Sequence, residues 1–356
     1  MRRMSRHLPV PRPARPVLRR GVDRVQLGLD PERSLVVENL SDVASSALVR
    51  LDGRTGRHEV LRFAPELSEV LDELDRRGAL DDDPGGSAGL SSVRRERFAP
   101  DLAGLAVARS STADALQVLA RRARSCVVVR GNDRAAAHVA VGLAAAGVGI
   151  VALDGPDRTA TVADLTPVGP HEPHLSWREQ VAEAVRRHGA HPTAVGARTK
   201  RPALVVVCAA ADVDLPWTDP ELADDLLADG VPHLPVAVTA DAARVGPLVL
   251  PGTSACLWCL DHRAHDVDPA WPALTDQVRL RHARARAQGS VLTASAAATA
   301  VAQALQVVDT PGTQQPLSVD AILELRAPDA VVSVLPVTRH PVCGCGWAGG
   351  TRTMVG

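Results

Sequence analysis

The chain has 356 residues and a formal net charge of −1 at pH 7, with 46% hydrophobic and 23% charged residues. This composition is typical of a soluble globular protein with more than one domain. A near-neutral charge without long runs of one sign argues against nucleic acid or an anionic membrane as the main partner. No apolar run is judged long enough to cross a bilayer and no signal peptide is recognised, so a cytoplasmic location is predicted.

The first eighty residues divide into a loose lead-in and a small module. Residues 1–16 are rich in arginine and proline and show no apolar periodicity. Small strands and helices then predict a winged-helix-like module over 17–80. No basic face supports DNA binding, whereas the edge of a small sheet can accept a peptide as an added strand. The strand patterns lie at 24–29 and 34–40, and the helix patterns at 44–51 and 65–77.

Residues 81–111 are predicted to be a linker, because they begin with an acidic, glycine-rich stretch that lacks a packing pattern. The rest of the chain, 112–356, alternates helix and strand patterns. Its first strand pattern turns at Gly131, continues as an alanine-rich helix and returns as a second strand that ends at Asp154. This is the first unit of a nucleotide-binding βαβ fold, so we predict an α/β, doubly wound, Rossmann-like sheet.

The turn of this unit departs from a phosphate-binding turn. Such a turn needs glycine at its first two fingerprint positions and glycine or alanine at the third. Here the three positions are Gly131, Asp133 and Ala136. The Asp133 carboxylate would repel a pyrophosphate at the helix N-terminus, and an acid at that place is also explained by the helix dipole alone. The pattern therefore favours the fold more than it favours a nucleotide.

The cysteines indicate a metal site. Two close pairs, each in a turn, can complete a tetrahedral four-cysteine zinc site that has no open position, so the zinc would be structural. Redox disulfides are the alternative. Cys126 and Cys208 lie in apolar strand patterns and are assigned to packing, and His340 to packing or support of the site. The pairs are Cys256 with Cys259 and Cys343 with Cys345.

From about residue 115 to its end, the chain resembles the ThiF-type, ubiquitin-activating-enzyme-like superfamily. The resemblance implies a doubly wound sheet, a structural zinc and, in active members, Mg·ATP-dependent adenylation of a C-terminal carboxylate. By the same analogy Asp154 would hold the ribose, Asp212 would face Mg²⁺ and the nucleotide, and Arg178 would face a phosphate. The matching features are the 126–149 unit with Gly131, the acid Asp154, the strand at 203–209 before Asp212, and the two cysteine pairs around a long alanine-rich helix.

Three departures from the family's sequence pattern bear on whether this chain is predicted to be an active enzyme. Asp133 and Arg134 stand where the family has glycine, and the phosphate-binding segment expected between 155 and 175 is not recognisable. No cysteine lies in a loop where a thioester-forming residue would be. These departures argue against thioester transfer and weaken the case for adenylation.

A small module in front of such a body resembles one subset, the leader-peptide-binding partner proteins of ribosomal-peptide cyclodehydratases. The resemblance implies that residues 34–40 and 65–77 hold a precursor's leader as an added strand and that the body docks a separate catalytic protein. Active relatives of the ThiF type dimerise through this body, so the wider resemblance is compatible with a homodimer. Three functions are weighed: a non-catalytic scaffold, which is preferred, an ATP-dependent adenylyltransferase, and an NAD-dependent oxidoreductase. The last has no recognisable hydride-transfer site.

Overall fold

The chain forms two compact units, Met1–Ala120 and Arg121–Gly356, which are taken in turn. Each has its own buried apolar cluster. The computed structural model describes residues 10–11, 15–51, 55–81, 92–109, 112–166, 168–194, 201–208, 220–280, 288–310, 312 and 315–346.

The first unit contains a three-stranded antiparallel sheet with helices packed on it. The order in this sheet is β2–β3–β4, and β1 pairs with β5 in a separate two-stranded ladder. The core includes Leu27 from β3, Leu48 from α1, and Leu67 and Leu71 from α3, all nearly inaccessible to solvent. The strands are β1 (Val10–Pro11), β2 (Val17–Arg19), β3 (Val25–Leu27), β4 (Leu35–Val37) and β5 (Leu80–Asp81), and the helices are α1 (Asp42–Val49), α2 (Arg57–Phe63), α3 (Leu67–Arg76), α4 (Ser92–Arg97), α5 (Ala99–Arg109) and α6 (Thr112–Arg124).

The strands β3 and β4 and the helices α1 and α3 lie where the sequence predicts them. Strand β2 and helix α2 were not predicted; α2 buries a single side chain, Val60. Two helices, α4 and α5, lie within the interval predicted as a linker. Phe98 between them is buried with Leu116 and Leu119 of α6, so part of that interval packs as structure.

The second unit is an α/β structure, as predicted, built on an eight-stranded sheet. The sheet order is β13–β12–β11–β10–β9–β6–β7–β8; the five strands from β10 to β8 are parallel, and β11, β12 and β13 are antiparallel. The strands are β6 (Cys126–Arg130), β7 (Ile150–Asp154), β8 (His191–Ala194), β9 (Leu204–Cys208), β10 (His233–Val238), β11 (Ala242–Val245), β12 (Ala321–Arg326) and β13 (Val331–Pro336). The helices are α7 (Arg134–Ala145), α8 (Trp177–Arg187), α9 (Pro220–Ala228), α10 (Leu257–Val267), α11 (Trp271–Leu280) and α12 (Ser290–Asp309).

Both faces of this sheet are covered by helices. Successive residues of β6 point to opposite faces, so Val127 and Val129 join a cluster with α7, α8 and α12. Val128 joins a second cluster, which contains Leu222 and Leu226 of α9. Strands buried on both faces are continuous apolar runs, which is why the sequence shows them clearly.

Helix α12 is long and apolar enough, by length and composition, to cross a membrane. The expectation that no segment meets this test is therefore wrong. Its Ala296, Ala300 and Ala304 are fully buried in the core of the second unit. It packs closely on α7, where a side chain at Gly142 would come within 3.0 Å of Val301. Small residues along both helices allow this close approach.

The strand pattern at 246–250 is not a strand. The antiparallel strand β11 precedes it, and Leu248 and Val249 form only isolated bridges. Gly246 has a φ of 103°, outside the extended region, and Pro247 has no N–H to donate to a ladder. These two residues end the strand although their neighbours are apolar.

Candidate functional site

The turn between β6 and α7, residues 131–134 (the α7 turn), lies at the carboxyl edge of the parallel strands, where open α/β sheets bind ligands. Gly131 has a φ of 143°. A side chain there would lie 2.9 Å from the carbonyl oxygen of Cys208 in β9. Close packing against the neighbouring strand therefore requires glycine at this position, independently of any phosphate.

Asp133 is buried and caps the amino end of α7. Its Oδ1 accepts a hydrogen bond from the backbone N–H of Ala136 at 2.8 Å, and its Oδ2 accepts one from Nε2 of Gln288 at 2.8 Å. Arg134 donates to the backbone oxygen of Gln288 and to Oγ of Ser290, both at 2.8 Å. The start of α12 thus packs on the α7 turn, and a carboxylate lies at the helix N-terminus where nucleotide-binding relatives of this fold place a phosphate.

The structure brings three of the predicted nucleotide-site residues to one edge of the sheet. The N–H of Gly131 donates to the backbone oxygen of Asp154 at 3.0 Å. The Asp154 carboxylate accepts from the N–H of Gly155 at 2.8 Å, and the Arg178 guanidinium donates to the Gly155 carbonyl. The Asp154 carboxylate and the Arg178 guanidinium are therefore engaged by the protein's own backbone. Asp212 lies outside the described residues.

Arg158 is a residue of this edge that the sequence analysis missed. Its guanidinium makes a bidentate pair with Asp164, one contact being 2.7 Å, and its Nε donates to the backbone oxygen of Asn132 at 2.8 Å. Burial would raise the pKa of the Asp164 carboxyl, but the paired Arg158 and the hydrogen bonds from Thr161 hold that pKa below its usual value. In the sequence, the capping-box pattern from Thr161 to Asp164 was the signal that could have drawn attention to Asp164, the partner of Arg158.

The four paired cysteines converge in the second unit; we call this set the cysteine corner. Their sulfur atoms all lie within 4.8 Å of one another. The Sγ distances are 3.8 Å for Cys256–Cys259 and 3.5 Å for both Cys256–Cys343 and Cys259–Cys345. A tetrahedral site with Zn–S bonds of ~2.3 Å has sulfurs ~3.8 Å apart, so the donor set and its spacing fit zinc. A disulfide needs about 2.05 Å, and all six cysteines are free thiols.

The tail that carries the second pair is also tied down by polar contacts. His340 Nε2 lies 2.8 Å from a carboxylate oxygen of Asp266, and the His340 ring stacks on that of His262 with centroids 5.1 Å apart. Arg339 donates to the carbonyl of Gly252 at 2.9 Å. Among the residues that the structure describes, the cluster that could hold a metal ion contains the four cysteines and no histidine. His340 therefore supports the loop and is not a member of the cluster.

Cys126 and Cys208 lie in β6 and β9 and are buried. Burial raises the pKa of the Cys126 thiol, and burial together with the charge of Asp133 raises the pKa of the Cys208 thiol well above its ordinary value. A thiol that does not ionise is a poor nucleophile. Both side chains therefore act as packing groups in the sheet.

In the first unit, an apolar groove of about 320 Å³ lies between β4 and α3. We call it the β4–α3 groove. The strand side consists of residues 35–38, and β4 pairs only with β3 among the described strands, so its other edge is free. The groove coincides with the two segments, 34–40 and 65–77, that the resemblance singled out. The helix side consists of Glu69, Val70, Glu73, Leu74 and Arg77.

Solved structures share this architecture over nearly the whole chain. MccB of E. coli with MccA-N7isoASN has a TM-score of 0.65 and 15% identity, covering 95% of this chain and 99% of that chain. PaaA has a TM-score of 0.65 and 16% identity, covering 92% and 99%. The chain has the fold of these proteins. The predicted ThiF-like fold is thereby confirmed.

Other structures of the same neighbour record what it binds. MccB has been solved with ATP, at a TM-score of 0.64 and 15% identity over 95% of this chain and 99% of that chain. It has also been solved, as the microcin C7 biosynthetic enzyme, in complex with N-formylated MccA. No protein-family model and no curated protein matches this chain. At these identities the likeness concerns the fold.

Proposed function

We propose that this protein is a scaffold that holds a precursor's leader peptide and presents it to a separate modifying enzyme in peptide natural-product biosynthesis. The observation that carries the proposal is the β4–α3 groove, where a free strand edge runs beside an apolar helix face. The fold likeness to MccB, which has been solved bound to MccA, supports it. In this proposal residues 17–80 form a winged-helix-like recognition module, and 81–111 connect it to the body at 112–356.

The peptide would bind as an added strand. The free N–H and C=O groups of β4 supply main-chain hydrogen bonds, which are insensitive to sequence, and alternate side chains enter the groove and supply specificity. Leu35 and Val37 of β4 are half-buried, as is Val70 of α3, and all three pack on the unit's core. Covering them with an apolar peptide side chain removes further apolar surface from water.

The α7 turn supports a role without nucleotide chemistry. Helix N-termini attract phosphate through unpaired N–H groups and a positive dipole end. Here the Asp133 carboxylate already accepts the Ala136 N–H and receives a hydrogen bond from Gln288. A phosphate would have to displace an internal anion, so the residues present do not fit ATP. We derive no adenylation step for this chain.

The cysteine corner would hold a structural zinc. Cys256 and Cys259 flank the start of α10 and Cys343 and Cys345 lie in the tail, so one ion would connect segments more than eighty residues apart. Four thiolates fill a tetrahedral zinc, which leaves no position for water or substrate. The metal's proposed contribution is therefore stability.

We further propose a cytoplasmic homodimer whose body docks a cyclodehydratase-type enzyme.

Peptide binding to the full chain tests the proposal. The probe is a fluorescent synthetic peptide of alternating valine and threonine, compared with a version in which prolines remove every second N–H. We expect the first to bind and the second not to bind. Val70→Ser should weaken binding about tenfold because it removes apolar contact from the groove. Val43→Ser, at an exposed valine of α1 that does not line the groove, should leave affinity unchanged. Equal binding of both peptides, or of neither, refutes strand addition.

A second candidate is an ATP-dependent adenylyltransferase. It is favoured by the placement of Gly131, Asp154 and Arg178 at one edge, and by the fold neighbour MccB, which has been solved with ATP. Calorimetric titration with Mg·ATP separates the candidates. Binding in the micromolar range, about −8 kcal/mol, would favour adenylation and call for a pyrophosphate-exchange assay. If no heat is detected up to millimolar ATP, the adenylyltransferase candidate is excluded and the scaffold candidate remains. No feature of the described residues favours the NAD-dependent alternative.

A further inference from the structure

The charged side chains of the β4–α3 groove are unequally neutralised. Three carboxylates and one guanidinium line it: Glu38, Glu69, Glu73 and Arg77. Glu73 is held by arginines of its own helix and its cap, since Arg77 Nε donates to it and Arg76 also pairs with it. The hydrogen bond from Arg77 lowers the pKa of Glu73. These pairs cancel the charge at one end of the groove.

Glu38 is also partly compensated, because its carboxylate lies 3.6 Å from Nε of Arg24. Glu69 differs from both. Within the described parts of the chain it makes no hydrogen bond or ion pair, and its side chain is exposed to solvent. It lies one turn before Glu73 on the same face of α3 and next to the apolar Val70. Among the described residues, Glu69 is therefore the charged group of the groove that has no partner.

An occupied groove changes the environment of this carboxylate. In the free protein water solvates Glu69 at little cost. A peptide laid along β4 would remove part of that water, and an ion left without a partner loses solvation energy. An apolar peptide residue at this place leaves the loss in full, and an acidic one adds repulsion. A lysine or arginine replaces the water with an ion pair.

We propose that the groove selects leader peptides that carry a lysine or arginine opposite Glu69, flanked by alternating apolar residues. This inference rests on the proposed function, because it concerns the specificity of the same groove. Glu69 is a specificity-determining residue here, and the apolar contacts along Leu35, Val37 and Val70 supply the common affinity. Charge pairing at a groove rim acts mainly by discriminating between partners.

The test uses the alternating valine–threonine peptide with lysine, glutamine or glutamate at one position, scanned along its length, against the full chain. At the register that faces Glu69, we expect lysine to bind about fivefold more tightly than glutamine, and glutamate more weakly still. Glu69→Gln should abolish the preference and Glu69→Lys should reverse it. Glu59→Gln is the matched control, since Glu59 is an exposed first-turn acid of α2 outside the groove.

Two failures are distinguishable. If the three series bind alike at every position while Val70→Ser still weakens them all, the groove binds peptides and the inference about charge is overturned. If no peptide of any series binds, the proposed function falls and the inference falls with it. Thermal melts of each variant confirm that it is folded before binding is compared.

Discussion

The cysteine corner and the α7 turn are two places in the second unit where the sequence predicts a ligand, and they differ in what their polar atoms lack. In the corner, four sulfurs lie 3.5–3.8 Å from their nearest neighbours and have mainly one another as partners. In the turn, the Asp133 carboxylate already has two internal hydrogen bonds. The corner offers four convergent sulfur atoms that could hold a metal ion, whereas the carboxylate of the turn is already hydrogen-bonded within the protein.

This difference separates a set of atoms that could hold a ligand from a carboxylate whose partners lie within the protein. Buried polar groups are stable only when they are paired, so a group of convergent, unpaired donors of one kind indicates a missing partner. At the α7 turn, the Asp133 carboxylate already accepts two hydrogen bonds from within the protein. The residue types alone do not separate a turn that binds a nucleotide from one that does not, because packing against β9 requires glycine at position 131 in both.

The largest expected effect is at the cysteine corner. Cys256→Ser should lower the free energy of unfolding by more than about 4 kcal/mol, because metal binding is coupled to folding and a serine ligand holds zinc poorly. The measurement is metal content by mass spectrometry of the intact protein, together with thermal unfolding with and without a chelator. We expect one zinc per chain in the unmodified protein and none in the variant.

The matched control is Cys126→Ala, a buried cysteine of β6 that is outside the cluster. It should keep its metal and lose only the small packing energy of one sulfur. Loss of zinc from both variants, or unchanged zinc content and stability in Cys256→Ser, would falsify the assignment of a four-cysteine zinc site.

A smaller effect is expected at the α7 turn. Asp133→Gly removes the cap of α7 and leaves the Gln288 amide without its acceptor, so stability should fall by about 1–2 kcal/mol. The same change removes the internal anion, so affinity for Mg·ATP should rise. Denaturant unfolding and calorimetry measure the two quantities. A rise in stability would contradict the role of Asp133 as the cap of α7. An unchanged ATP affinity would show that its carboxylate is not what opposes ATP binding at the α7 turn.

The smallest effect concerns a single unsatisfied atom. His233 is fully buried in β10, its Nδ1 lies 3.0 Å from the carbonyl oxygen of Val231, and its Nε2 has no hydrogen-bond partner among the described residues. Burial lowers the pKa of this imidazole, although the contact with the Val231 carbonyl opposes the shift. One such atom, unlike four convergent sulfurs, does not make a site, and its consequence should be limited to pH dependence.

The sign follows from the lowered pKa. The unfolded chain takes up a proton at His233 near pH 6.5 and the folded chain only at a lower pH, so stability is lost as the pH falls below about 6.5. His233→Leu should remove this contribution, which reaches at most about 1.4 kcal/mol per pH unit. Denaturant unfolding between pH 7 and pH 5 compares the slopes. Parallel slopes for the two proteins would show that His233 does not titrate differently on folding.

Much of the second unit could be predicted because its signals are local. A continuous apolar strand, a glycine turn, an alanine-rich helix and a second strand predict β6, α7 and β7, and the cysteine spacing predicted which four residues would meet. The errors arose where one backbone detail outweighs side-chain pattern. Gly246 and Pro247 end a strand that the apolar residues after them would continue.

In the first unit the sequence located the two segments that form the groove, and it did not locate β2 or α2. The apolar side chains of α2 divide between the buried Val60 and the exposed Phe63, so its sequence does not show one apolar face. The stability of β2 and α2 comes from packing on α1, α3 and β3, which involves residues distant in the chain.

The sequence by itself thus determined the α/β class, the order of the central elements and the four cysteines of the corner, since these depend on composition and spacing along short segments. Only the tertiary structure decided that Asp133 is satisfied by Gln288, 155 positions away, that Arg158 is neutralised by Asp164, and that Glu69 has no ion-pair partner among the described residues. The physical reason is that the partner of a charged group depends on which residues the folded chain brings next to it. Sequence shows which groups need partners, and three-dimensional contacts show which of them have found one.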